Sequence, residues 1–135
     1  MSKIHSDSVF DFLLGVPFVK GGQDIKGFDC WGLHAFCRRY VNKPIISFKG
    51  WVCHLEQRKN LIESSLREFV KLDKPEPFCL VVFKGKRQYH FGTVLPGCLR
   101  YIHIRRNQTV SKQDLADTTD PLVGFYNYVE NSVNN

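Results

Sequence analysis

Gly27-Phe28-Asp29-Cys30-Trp31-Gly32-Leu33 sets a cysteine at the point where a glycine-rich loop becomes a helix. The residues before it, Gly15 to Lys26, carry too much glycine for a helix or a regular strand. After Cys30, apolar residues fall at Leu33, Phe36, Cys37, Tyr40 and Val41, the spacing of one helical face. Cys30 lies three residues before Leu33, so it shares that inward face in the first turn. Unpaired backbone N–H groups and the positive end of the helix dipole favour a thiolate there. Thiolate is the nucleophilic form of cysteine, so the position suits covalent catalysis.

The chain has 135 residues, 43% of them hydrophobic and 13% aromatic, which is enough for a globular core. No run is long enough to span a membrane. The start, Met1 to Ser8, lacks the apolar core of a secretory signal, so delivery outside a cell would depend on something else. The five cysteines, Cys30, Cys37, Cys53, Cys79 and Cys98, have no regular spacing and form no Cys-x-x-Cys pair, which argues against a disulfide framework. Cys30, His34 and Cys37 lack the second close pair that a zinc site needs, so no metal is expected. The net charge of +6 suits an anionic partner such as cell wall, lipopolysaccharide or nucleic acid. The basic pairs Arg38-Arg39 and Arg105-Arg106 are short and match no nucleic-acid motif, so no nucleic-acid partner is expected.

Along the chain, Ser6 to Leu14 reads as a short helix with Val9, Phe10, Leu13 and Leu14 as its stripe. The Cys30 helix fades near Tyr40 to Asn42, ahead of Lys43-Pro44. Residues 45 to 54 are irregular. Leu55 to Lys71 reads as a second helix, with Ile62, Leu66, Phe69 and Val70 inward and Glu63 and Arg67 paired outside. Pro75 and Pro77 then open a sheet half. Its strands are Phe78 to Phe83, Tyr89 to Leu95, Cys98 to Ile104 and Leu122 to Val129, with 107 to 120 as loop. Helices first and an antiparallel sheet after give an α+β fold in a single domain, 1–135.

A cysteine nucleophile needs a base within hydrogen-bond reach and a group that orients the base. Five histidines are available: His5, His34, His54, His90 and His103. If Pro96-Gly97 is a two-residue hairpin loop, Leu95 pairs with Cys98, and counting outward sets His90 opposite His103 on one sheet face. A symmetric four-residue loop gives the same pairing, whereas an odd loop or a bulge would turn one ring to the other face. His34 lies one turn beyond Cys30, but side chains lean toward the helix N-terminus, so the sulfur points away from it. His34 is expected to be packing or surface; His5 and His54 have no comparable setting.

Leu14-Gly15-Val16-Pro17-Phe18-Val19, then Gly21-Gly22, then Gly27 to Leu33, resembles the signature of the NlpC-type papain-like cell-wall cysteine peptidases. The Cys-Trp-Gly-Leu form is most similar to members carried in bacteriophage tails. The resemblance implies N-terminal helices packed on a C-terminal antiparallel sheet. It also implies a His-x-Gly base on a strand, matched by His90-Phe91-Gly92, and a polar third member on the next strand, matched by Tyr101-Ile102-His103. Cys30, His90 and His103 are then nucleophile, general base and orienter. Phe18, Asp29 and Trp31 shape the substrate and oxyanion surface, together with backbone N–H groups such as that of Cys30. The implied substrate is a peptidoglycan stem peptide, cut between D-glutamate and a diamino acid without a cofactor. Implied partners are other phage tail-tip proteins, and the implied location is the virion tail tip, made in the host cytoplasm and acting on the cell wall. Two other roles fit the same residues: an antibacterial amidase effector, and a structural tail-tip plug with little activity. Many relatives carry Pro-Tyr where this chain has Pro17-Phe18, and Gly-Asp where it has Phe78-Cys79; these departures bear on substrate preference and catalytic strength.

Overall fold

A computed structural model describes residues 6–45, 69–86 and 89–128. Strands β1 (Gln23–Asp24) and β2 (Gly27–Phe28) form a small hairpin and lead into helix α1 (Cys30–Tyr40). Next come β3 (Phe69–Leu72), β4 (Leu80–Lys84), β5 (Tyr89–Val94), β6 (Arg100–His103), β7 (Ser111–Asp114) and β8 (Leu122–Tyr128). These six form one antiparallel sheet in the order β3-β8-β4-β5-β6-β7. The α+β class expected from the sequence is what the chain adopts, with α1 the one α-helix among the described residues.

The sheet is covered on both faces. Leu80, Val82, Phe91 and Ile102 pack with Cys30, Leu33 and Cys37 of α1. Cys79, Val81, Phe83, Val94 and Tyr101 make a second cluster on the reverse side. A strand buried on both faces has no polar alternation, which is why 78 to 83 is an unbroken apolar run. Each fully buried Leu, Val or Phe contributes about 1.5–3 kcal/mol, so this pair of layers fixes the register of the central strands.

Several sequence expectations are corrected. Ser6 to Leu14 forms turns and a single 3-10 turn at Asp11–Leu13, not an α-helix. Nine residues are too few to offset helix nucleation; Phe10 and Leu13 are buried as expected, but Leu14 is exposed. The glycine loop does contain strand, the short β1–β2 pair, with the Lys26 N–H held by the Asp24 carboxylate. Phe69, Val70 and Lys71 belong to β3, paired to β8, rather than to a helix; the rest of that expected helix, including Ile62, Glu63, Leu66 and Arg67, lies outside the described residues. The stretch 107 to 120 contains β7 and a 3-10 turn at Leu115–Asp117. Strand β7 is polar because it is an edge strand, with no covered face to demand alternation. Arg38 is not surface charge: it is buried, donates to the carbonyls of Phe78 and Pro44, and lies over the Tyr128 ring. Arg105 is in an ion pair with Asp120.

The β5–β6 hairpin differs from the expected two-residue loop. The Leu95 N–H bonds the Arg100 carbonyl, and Pro96 to Leu99 form a four-residue loop. Gly97 takes φ +94° and Cys98 φ +58°, the left-handed values that a Pro-Gly type II turn and its continuation require. His103 therefore pairs with Gly92, not with His90. The slip is two residues, one full pleat period, so His90 and His103 still share a face as diagonal neighbours.

Candidate active site

Asp29 ends the loop and caps α1. Its carboxyl oxygen accepts from the Gly32 N–H at 2.6 Å, a favoured N-cap arrangement. Its own N–H reaches back to the Gly22 carbonyl at 3.1 Å. Gly32 is compelled by the same close approach, since a Cβ there would lie 2.0 Å from the Gly22 oxygen. The glycines of the signature thus lock the loop against the first turn of α1, and the loop sets the position of Cys30. Phe18 is half-buried against the core, bridged to Phe28, and its N–H bonds the Gln108 carbonyl.

Helix α1 lies along β5. Trp31 meets Phe91 edge-on, with ring centroids 5.3 Å apart. One turn on, His34 Nδ1 is 2.7 Å from Thr93 Oγ1. Helix and strand therefore advance together, and Cys30 and His90, each one residue before the Trp31–Phe91 contact, stand at the same end of the sheet. The pleat turns Phe91 and Thr93 toward α1 and His90 and Gly92 the other way. On that side His90 stacks on Phe83 and meets His103.

The two imidazoles are joined directly, His90 Nε2 to His103 Nδ1 at 2.8 Å, with ring planes 72° apart. Both rings are buried. His103 is held well below the ordinary histidine value, at about 4, first by desolvation and then by the Arg105 charge. It is a neutral ring at neutral pH, able to accept on one nitrogen and donate from the other. Its remaining nitrogen, Nε2, is 3.4 Å from Ser111 Oγ.

His34 is packing, as expected, and it is fully interior. Its Nδ1 meets Thr93 and its Nε2 meets the Tyr128 hydroxyl at 2.7 Å. Burial pushes its pKa well down and that of the Cys37 thiol well up. Thr93 and Tyr128 were not singled out by sequence reasoning, and neither was Ser111, which fell in a stretch read as loop. Only recognition of β7 as a strand would have set Ser111 opposite His103.

A buried imidazole pair, the second ring neutral, stands beyond a helix whose first residue is cysteine. A catalytic cysteine needs a base and a group that orients the base, and the joined imidazoles have the chemistry of such a pair. Among solved structures, the chain is similar to the NlpC/p60 domain of the peptidoglycan hydrolase SagA. The TM-score is 0.56 at 22% sequence identity, over 83% of this chain and 88% of that one. The protein has the NlpC/p60 fold. No protein-family model and no curated protein matches the sequence.

Proposed function

We propose that the chain is a cysteine peptidase or amidase that cuts peptidoglycan stem peptides, with Cys30 as nucleophile, His90 as base and acid, and His103 as orienter. The observation that carries this reading is the His90–His103 bond at 2.8 Å at the end of the sheet from which α1 starts. Because His103 engages Nε2, Nδ1 is the His90 nitrogen assigned to the thiol.

The chemistry follows from these assignments. Cys30 is buried at the head of α1, and the Asp29 cap has already taken the Gly32 N–H. In this reading an imidazolium at His90 stabilises the thiolate of the nucleophile. The thiolate attacks the amide carbonyl, and the oxyanion forms beside the backbone N–H groups of the first turn. His90 passes its proton to the leaving amine, then draws a proton from the water that releases the acyl-enzyme. Phe18 and Trp31 are assigned as apolar surface for the substrate backbone.

The Cys-Trp-Gly-Leu form of Cys30 to Leu33 supports a phage tail-tip enzyme. In that role it works as one domain among tail proteins and opens the cell wall locally during genome injection. Mass spectrometry of stem peptides digested by the wild-type chain and by Cys30→Ala tests the reading. Cleavage between D-glutamate and the diamino acid, abolished in the variant, is the expected result; equal release by both chains removes the peptidase.

A further inference from the structure

We infer that Ser111 is a positioning residue of the same site: its hydroxyl accepts from His103 Nε2–H and so fixes which nitrogens of both imidazoles carry protons. This rests on the peptidase reading above. When His90 holds the thiol proton it is an imidazolium, and both its ring nitrogens donate. Its Nε2–H must then donate to His103 Nδ1. His103 is neutral and carries one proton, so that proton sits on Nε2 and points at Ser111 Oγ, 3.4 Å away. The opposite tautomer of His103 would aim an N–H at the protonated Nε2 of His90 and break the pair.

The placement is built by the fold. Strand β7 pairs with β6 so that Ser111 lies directly opposite His103, and directly opposed residues share a face. Among the described residues, His103 has no hydrogen-bonded side chain besides His90 and Ser111. The Tyr101 ring lies 4.8 Å from the His103 ring, and Arg105 contributes only positive charge. Ser111 itself is exposed at the sheet edge, so its own O–H donates to water while its oxygen accepts from the ring.

The test is long-range proton–nitrogen correlation spectroscopy on the full chain carrying 15N-labelled histidine, at neutral pH. Wild type is expected to show His103 and His90 each protonated on Nε2. Ser111→Ala is expected to give mixed tautomers at His103. Alkylation of Cys30 by iodoacetamide is expected to slow about fivefold, the worth of one hydrogen bond. The melting temperature should not change, and Ser111→Thr should restore both readouts. His103 protonated on Nδ1 in wild type, or a Ser111→Ala chain with unchanged tautomers and alkylation, overturns the assignment. If Cys30→Ala still digests stem peptides, the peptidase reading falls, and the tautomer readout still decides the role of Ser111.

Discussion

Gly92→Ala puts one methyl group into the seam between the two histidine-bearing strands. Its Cβ would lie 2.7 Å from Tyr101 Cδ2 and 3.1 Å from Val81 Cγ1. Val81 can give by a few tenths of an ångström; Tyr101 must retreat by roughly 0.7 Å to reach ordinary contact. Tyr101 has nowhere to go, being fully buried between Phe83 at 5.2 Å and His103 at 4.8 Å. Overpacking of this kind costs about 1–3 kcal/mol. The variant recovers about 0.4–1 kcal/mol because its unfolded chain is less free. The net loss is about 1–2 kcal/mol, or about 4–8 °C in melting temperature for a chain of this size. Because the displaced ring leans on His103, turnover should also fall about tenfold or more. A circular-dichroism melt beside a stem-peptide assay reads both effects. A variant that melts within about 1 °C of wild type and turns over normally would refute the steric account of the His-x-Gly motif.

Replacing His103 with alanine should lower kcat about 100-fold or more with little change in KM, since the ring orients the base rather than the substrate; equal effects on KM and kcat would contradict that role. Asp29→Ala should cost about 1 kcal/mol of stability through the lost cap, read as a shift in the urea midpoint, and Asp29→Asn should recover most of it. His103 is depressed from 6.5 to about 4 in the folded chain, so the unfolded chain binds the extra proton. Stability should therefore be full above about pH 6.5 and fall as pH drops toward 4, on the order of 3 kcal/mol from this ring. His103→Gln should flatten that slope in thermal melts across pH, and an unchanged slope would contradict it. Burial pushes the Cys79 thiol up to about 12 and the Cys37 thiol higher still. Peptide mapping after brief alkylation at neutral pH should find Cys30 labelled and both of these untouched.

The core of this fold was legible because its residues carry strong, local signals. Leu33, Phe36, Cys37 and Tyr40 repeat at helical spacing, and α1 ends at Tyr40, inside the predicted boundary. Leu80 to Phe83 read as a buried strand because both sides of it are covered. What was not legible depends on partners distant in sequence. Phe69 and Val70 fit a helical stripe, and only pairing with Tyr128 and Asn127 makes them strand. Ser111 to Asp114 have no apolar pattern, because an edge strand is defined by its neighbour β6 and not by its own burial. The site shows the same division. The two histidines were paired by centring the loop on Pro96-Gly97, whereas the loop runs from Pro96 to Leu99; the pairing slips by two residues, and the period of the pleat absorbs the slip. Their direct bond, the neutral state of His103 and the serine behind it come from burial and register, which no local spacing encodes.

The proposed chemistry needs an ion pair between Cys30 and His90, and the alkylation rate of Cys30 as a function of pH reads it without any substrate. In wild type the thiolate should persist at least about one pH unit below the 8.5 or so of a free cysteine, and His90→Gln should move the profile back to that value or above it. Identical profiles for the two chains would contradict the pairing of Cys30 with His90.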